Sequence, residues 1–351
     1  MDKPLRKRLR RIDPYVPGEQ PQSDDIIKLN ANESPYPPAP GVQQALRDFD
    51  ASRLALYPDA NGKALKTALA NRFGVKPSQV FLGNGSDDVL ALAFQSFFCS
   101  DEPVLYPDIT YSFYPVWCDL FRIPYETVPL DENFCVNIRD YDRPNGGIVL
   151  PNPNAPTGRG VSLAFLEDLL QHNADCVVII DEAYVDFGAQ SAVPLIEKYE
   201  NLLVVQTMSK SRSLAGLRIG YALSSETLIA TLEAVKNSYN SYTMDAVALA
   251  AGEAAVADEA YFQETCRKVV ATRERTADAL RGLGFVVPPS LTNFLFVTHP
   301  DKNASDIFAA LRERGIFIRY FKLPRIDNYL RITVGTDEQM DRLIDALRDL
   351  L

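Results

Sequence analysis

The sequence predicts a doubly wound α/β domain with a mostly parallel sheet, followed by a smaller α+β segment. From Gly41 onward, helical patterns alternate with short apolar runs, as βαβ units with buried parallel strands require. Beyond about Met244 that alternation stops, and short strands surround two helices. At 351 residues the chain also exceeds what one hydrophobic core usually supports.

Taken in order, residues 1–40 form an N-terminal arm. Pro4, Pro14, Pro17, Pro21, Pro35, Pro37, Pro38 and Pro40 make it extended and broken by turns. It opens with Lys3, Arg6, Lys7, Arg8, Arg10 and Arg11, but Ile12-Asp13-Pro14 stands where the apolar part of a signal peptide would follow, so this is a solvated basic arm. Residues 41–260 form the large α/β domain. Its helical patterns are Val42 to Phe49, Lys63 to Phe73, Asp87 to Phe98 and Leu163 to Leu170; its strands are Val80 to Leu82, Val104 to Tyr106, Ile148 to Leu150, Val177 to Ile180 and Leu202 to Gln206. A helical stretch from Met244 to Leu280, broken by a turn near Asp258, leads into a small α+β domain, 261–351. There Phe285 to Val287, Phe294 to Val297, Ile316 to Ile318 and Leu330 to Val334 read as strands, and Ala304 to Arg314 and Asp337 to Leu350 as helices. Thr336 and Gln339 stand at capping-box spacing before the last helix, and the Pro-rich arm is expected to return to this domain.

Composition narrows the function. Thirty-six basic against 46 acidic side chains leave a net charge of −10, which disfavours nucleic acid and anionic membranes as partners and points to a small molecule. The longest apolar runs, such as Cys176 to Ile180, fall far short of the roughly 20 residues that cross a bilayer. Cys99, Cys118, Cys135, Cys176 and Cys266 are odd in number with no close pair, which suits a reducing cytoplasm better than a disulfide framework. His172 and His299 are the only histidines, so neither a histidine triad nor a multi-histidine metal site is expected.

Four segments that follow strands carry chemistry. Thr207-Met208-Ser209-Lys210 puts one lysine among hydroxyls at a strand end, where α/β sheets bind ligands and where an amine can condense with a carbonyl cofactor. Asp181, at the end of Val177 to Ile180, could hold a metal, activate a base or pair with a protonated pyridine nitrogen. Gly83-Asn84-Gly85-Ser86-Asp87-Asp88 opens a helix whose free N–H groups could hold a phosphate. Pro151-Asn152-Pro153-Asn154-Ala155-Pro156-Thr157-Gly158 is a rigid turn of unusual spelling.

With these segments placed after strands, the chain resembles a fold-type I pyridoxal-phosphate aminotransferase, with a mostly parallel sheet and helices on both faces. More narrowly it resembles the histidinol-phosphate aminotransferases. The likeness rests on Leu29-Asn30-Ala31-Asn32-Glu33-Ser34-Pro35, Leu56-Tyr57-Pro58, Ser209-Lys210 through Arg218, and Leu330-Arg331-Ile332-Thr333-Val334-Gly335-Thr336, and it runs from about Asp13 to Arg342.

The resemblance implies that Lys210 forms the Schiff base with pyridoxal 5′-phosphate and carries the proton between substrate Cα and cofactor C4′. It implies that Asp181 pairs with the pyridine nitrogen, Tyr184 meets the ring's phenolate oxygen and Tyr111 stacks on the ring. Gly85, Ser86, Asp87, Thr207, Ser209 and Arg218 would hold the cofactor phosphate, with Tyr57 reaching over from a second subunit of a homodimer. Arg331 would grip the substrate's anionic group, with Tyr15, Asn32, Arg319 and Arg342 lining that end. The family usually has asparagine immediately before Pro156-Thr157-Gly158, at the ring oxygen; here Ala155 stands there, leaving Asn154 to substitute or Tyr184 to act alone. The implied reaction exchanges the amino group between L-histidinol phosphate and 2-oxoglutarate, yielding imidazole acetol phosphate and glutamate in L-histidine biosynthesis, without a metal. Aromatic-amino-acid transamination, threonine-phosphate decarboxylation and a non-catalytic cofactor-sensing module are the alternatives.

Overall fold

The structure is a computed structural model that describes residues 8–16, 18–21 and 26–351. Lys3, Arg6 and Lys7 of the basic arm, with Pro4 and Pro17, lie outside the described residues.

The chain forms β1 (Ile27–Lys28), α1 (Pro40–Arg47), α2 (Lys63–Phe73), β2 (Val80–Gly83), α3 (Ser86–Phe97), β3 (Val104–Pro107), α4 (Phe113–Phe121), β4 (Tyr125–Val128), β5 (Gly147–Pro151), α5 (Leu163–His172) and β6 (Val178–Asp181). It continues through β7 (Leu202–Thr207), β8 (Gly220–Ser224), α6 (Glu226–Tyr239), α7 (Ala246–Ala257), α8 (Glu259–Gly282), β9 (Phe294–Val297), α9 (Ala304–Glu313), β10 (Ile316–Phe317), β11 (Arg319–Tyr320), β12 (Leu330–Thr333) and α10 (Asp337–Leu350).

Seven strands form the central sheet in the order β2-β8-β7-β6-β5-β3-β4, parallel except for β8, which runs antiparallel to both neighbours. The inner parallel strands β3, β5, β6 and β7 read as largely apolar runs because both faces are covered. Ile148, Leu150, Val178, Ile180 and Val204 point into one core with α2, α5 and α7. The alternate residues Val149, Ile179, Leu203 and Val205 point into the other, with α3 and α4. A third core gathers Leu295, Val297, Leu311, Ile332, Met340 and Leu343 around β9, β12, α9 and α10. Ile27 and Leu29 of the N-terminal segment join it, through parallel pairing of β1 with β10 and a bond from Thr333 N to Leu29 O at 3.0 Å.

Local chemistry explains the helix starts. Ser162, Ser225 and Asp245 each accept a first-turn N–H of α5, α6 and α7. Thr336 and Gln339 close the capping box of α10 in both directions. Helices α7 and α8 meet at Asp258, where the sequence places a turn.

Two strand expectations change. Phe285 to Val287 is not a strand; only Val286 bridges Thr298, because Pro288-Pro289 lacks the N–H groups to extend the ladder. Ile316 to Ile318 divides at Ile318, so that Ile316–Phe317 pairs with β1 and Arg319–Tyr320 with β12 in another sheet. Among the described residues no helix is long and apolar enough to cross a membrane.

Candidate active site

The parallel strands β5, β6 and β7 end side by side in Pro151, Asp181 and Thr207, and their carboxyl ends open on a cavity of about 530 Å³. The facing wall comes from Asn30 to Glu33 and from Arg319, Phe321 and Arg331. Polar groups held at rigid strand ends are where α/β sheets place ligands.

Lys210 follows β7 in a turn pinned by Met208 N to Ile219 O at 2.9 Å and Leu214 N to Met208 O at 3.0 Å. Its half-buried amine crosses the cavity to donate to Ala31 O at 3.2 Å and stands 5.9 Å from the centre of the Tyr184 ring. Among the described residues no carboxylate pairs with it. It is an amine held against both walls and free of a counter-ion.

Asp181, only 6% exposed, accepts from the Tyr114 hydroxyl at 2.7 Å through Oδ2 and from Ala183 N at 3.1 Å through Oδ1. Burial pushes its pKa up to about 6 against the pull of these two bonds. Among the described residues no cation pairs with this buried carboxylate, which suits a ligand that brings one. Behind it Glu182, 1% exposed, accepts from Ser191, Ala192 N and Gln206, and burial holds its pKa up at about 7 despite those bonds. Tyr184 packs edge-on against Phe294 at 5.1 Å, and its hydroxyl accepts from Asn32 Nδ2 at 2.8 Å.

An anion cup lies at the start of α3, whose first-turn N–H groups have no intrahelical acceptor. Thr207 Oγ1 donates to Ser209 Oγ at 2.9 Å, and Arg218 reaches Ser209 Oγ at 3.5 Å. The Asp87 carboxylate accepts from Arg218 at 3.2 Å and from the Tyr111 hydroxyl at 2.8 Å. Gly220 lies so close beneath the peptide between Gly85 and Ser86 that any Cβ there would collide with backbone. Gly85 has φ +89°, and a Cβ on it would run into the Arg218 guanidinium.

At the opposite end, Arg331 and Arg319 face the cavity from adjacent strands. Among the described residues the Arg331 Nε is buried without a partner, while Nη2 donates to Asn30 O at 3.1 Å. Burial draws the Arg331 pKa down, and neighbouring Arg319 adds to that. Tyr15 stacks on Phe113 at 4.3 Å and closes the cavity from the N-terminal segment.

The cavity thus gathers Lys210, Asp181, Tyr184, Tyr111, Ser86 and Asp87, together with Thr207, Ser209, Arg218, Tyr15, Asn32, Arg319 and Arg331. Four expected residues lie off it. Asn154 is turned away, its Oδ1 accepting from Thr110 and its Nδ2 donating to Ile109 O and Thr157, so it does not take the place of the missing asparagine; the Ala155 methyl lines the cavity instead. Arg342 is exposed on α10, because Met340, Leu343, Ile344 and Leu347 form that helix's buried face. Gly85 acts behind the wall, and Tyr57 lies outside, 81% exposed and stacked on Tyr242 at 4.5 Å.

Sequence reasoning missed Tyr114 and Phe321. The first was hidden because α4 was not expected: Phe113 to Phe121 has Asp119 as its single charged residue and carries Pro115, which a helix tolerates in its first turn. Three residues separate Tyr111 from Tyr114, one turn of that helix start, and this was the available signal. Phe321 has none beyond its place between two arginines in the chain.

The family model for Aminotransferase class I and II matches residues 24–347. The chain belongs to this family. Among curated aminotransferases, it is 56% identical to the histidinol-phosphate aminotransferase of Acinetobacter baumannii strain SDF over 343 residues, covering 97% of this chain and 95% of the relative. It is 54% identical to histidinol-phosphate aminotransferase 2 of Dechloromonas aromatica strain RCB over 346 residues, 97% of each. Among solved aminotransferases, the histidinol-phosphate aminotransferase of Sinorhizobium meliloti in complex with pyridoxal-5′-phosphate superposes with a TM-score of 0.83 at 28% identity, covering 93% of this chain and 92% of that one. The chain is therefore a fold-type I aminotransferase, α/β with a mostly parallel central sheet.

Proposed function

We propose that this aminotransferase exchanges the amino group between L-histidinol phosphate and 2-oxoglutarate in L-histidine biosynthesis, with pyridoxal 5′-phosphate as its cofactor. The observation that carries the reading is the cavity's charge layout. Among the described residues, an amine without a counter-ion and a buried carboxylate without a cationic partner occupy its centre, and two arginines, one with an unpartnered Nε, occupy its far end.

These residues fit the cofactor. Arg218, Thr207, Ser209 and the N–H groups of Ser86 and Asp87 would hold its phosphate, Asp181 its ring N–H, Tyr184 its ring oxygen, and Tyr111 would lie against the ring. When bound, the cofactor supplies an aldehyde that takes up the substrate amine and a ring that receives the electron pair left at Cα. Lys210 would hold the aldehyde carbon and then move the proton between Cα and C4′. Tyr114 keeps the buried Asp181 oriented.

Histidinol phosphate carries a phosphate and no α-carboxylate, so the two arginines would bind the phosphate in one half-reaction and the glutamate carboxylate in the other. A panel of amino donors run with 2-oxoglutarate tests this: preference for histidinol phosphate supports it. Preference for phenylalanine or tyrosine moves the reading to an aromatic aminotransferase, and carbon dioxide release from threonine phosphate to a decarboxylase.

The same reading makes the enzyme a homodimer with composite sites. Tyr57, Leu54 and Leu56 are exposed, with Tyr239 and Tyr242 exposed on the segment that Tyr57 stacks against, an apolar surface that a second copy would cover while Tyr57 reaches its phosphate cup. It divides the chain into an arm, 1–40, a large cofactor domain, 41–260, and a small domain, 261–351. Five free cysteines suit a cytoplasmic location.

A further inference from the structure

The cavity wall beside Tyr184 is poor in polar groups. Pro151, Pro153, Ala155 and Pro156 line it, and the Asn154 amide is engaged behind it. The Tyr184 hydroxyl is the donor this side offers, and its direction is set from the other wall. Asn32 Nδ2 reaches Tyr184 Oη at 2.8 Å. An amide N–H only donates, so Tyr184 accepts there and keeps its own hydrogen for a second partner. No described residue takes that hydrogen.

Asn32 cannot turn to reverse this. Its backbone N donates to Thr333 Oγ1 at 3.0 Å, so that hydroxyl directs its hydrogen to Asn32 Oδ1, 3.1 Å away. With Oδ1 so engaged, Nδ2 must face Tyr184. The Asn32 carbonyl accepts from Asn293 Nδ2 at 3.0 Å, and the residue is 1% exposed with φ +55°. Such a buried polar group, every partner in place, is rigid.

We propose that Asn32 is a positioning residue for the cofactor: by donating to Tyr184 it sends the tyrosine's proton into the cavity, onto the ring oxygen of pyridoxal phosphate, which meets no amide from the Ala155 side. This rests on the reading of Tyr184 as the ring-oxygen partner. The charged and titratable groups around Tyr184 are Lys210 and Asp181 at the ends of β7 and β6, Tyr111 and Tyr114 from the segment that begins α4, and Arg331 from β12. None of them is a hydrogen-bond partner of Asn32, whose partners are Tyr184, Thr333 and Asn293.

The test reads the bound cofactor's visible absorbance against pH in loaded protein without substrate, beside Tyr184→Phe. A donor on the ring oxygen favours its anionic form, so losing the donor raises the midpoint. Asn32→Gly keeps the left-handed backbone without strain, and Asn32→Asp puts an acceptor in place of the donor. Tyr184→Phe should raise the midpoint by about one unit and Asn32→Gly by about half a unit, the size that one hydrogen bond supplies. Asn32→Asp should raise it at least as far as Asn32→Gly, and either variant suffices if the other does not fold. Combining Asn32→Gly with Tyr184→Phe should add nothing to Tyr184→Phe alone. A shift with Tyr184→Phe and none with the Asn32 variants overturns the role of Asn32 only. An additive double variant overturns it too, because Asn32 would then act without Tyr184. No shift with Tyr184→Phe overturns both readings.

Discussion

Arg319 and Arg331 stand directly opposite each other across the antiparallel pair β11–β12, with the Phe321 ring centre 5.7 and 5.6 Å from their guanidinium carbons. Like charges facing across a ladder are destabilising, and an anion between them removes that repulsion. Arg319→Gln should therefore raise the thermal midpoint of the ligand-free protein slightly while weakening use of the phosphorylated donor. A charge-assisted bond contributes roughly 1.5–3 kcal/mol, so removing one should lower kcat/KM by about tenfold or more. Histidinol phosphate should exceed unphosphorylated histidinol by at least about a hundredfold, and Arg319→Gln should shrink that ratio. Equal use of the two donors by the unaltered enzyme would refute the assignment.

Lys210 is expected to bear the cofactor. Borohydride reduction of the loaded enzyme should fix the label on the peptide containing Lys210, and Lys210→Ala should abolish turnover. Labelling at Lys236, whose amine is already held by Ala60 O and Glu233, would refute it.

Asp181→Asn should retain cofactor binding and lower kcat by about tenfold or more, since an amide gives the ring N–H no anionic partner. Tyr114→Phe should act in the same direction and more weakly, because Asp181 keeps its bond from Ala183 N. Turnover unchanged in Asp181→Asn is the result that excludes this role.

Glu182 supplies a pH signature. Its pKa rises from 4.5 to about 7 on folding, so its contribution relative to a neutral residue is fully present below pH 4.5 and is lost as pH rises through about 7. The stability advantage of the unaltered apoprotein over Glu182→Gln should fall across that window by at most about 3 kcal/mol and stay level above it. Denaturant unfolding of both proteins at pH 4.5, 6 and 8 measures this; an advantage that grows with pH contradicts it.

Mixing Lys210→Ala chains with Tyr57→Phe chains tests the composite site. If Tyr57 serves the second copy, each hybrid dimer has one intact site and activity recovers above that of either parent. No recovery, with Tyr57→Phe alone clearly impaired, places Tyr57 in its own chain's site.

Much of this architecture is legible in the sequence, for identifiable reasons. Val178 to Ile180 and Leu202 to Val205 announce themselves because a strand segment buried on both faces is apolar at successive positions. Asp181 follows from standing directly after the first run, and Lys210 from lying in the turn after the strand that holds the second. The edge strand Tyr125–Val128 is mostly exposed, and β8 opens with glycine, so neither leaves an apolar run to read. Helix α4 is hidden by Pro115 and by a run whose single charge is Asp119. Tyr114, Asn32 and Phe321 owe their importance to partners 67, 152 and 10 residues away, as the bonds Tyr114–Asp181 and Asn32–Tyr184 and the packing of Phe321 on Arg331 show, and local pattern carries no trace of such distances.

The alternation of β5, β6 and β7 between two apolar cores has a consequence for how the chain finds its alignment. A sheet with one wet face punishes a one-residue slip by flipping every side chain from oil to water. Here a slip exchanges one oily layer for the other, and water is indifferent to the error. Polar residues at the strand ends remain to register it: moving β6 along by one would drag Asp181 into a layer of valine and isoleucine, away from the Tyr114 hydroxyl and Ala183 N. The residues that perform the chemistry therefore also serve as the alignment marks of the sheet, and variants at Asp181 or Thr207 should be examined for misfolded chains as well as for lost turnover.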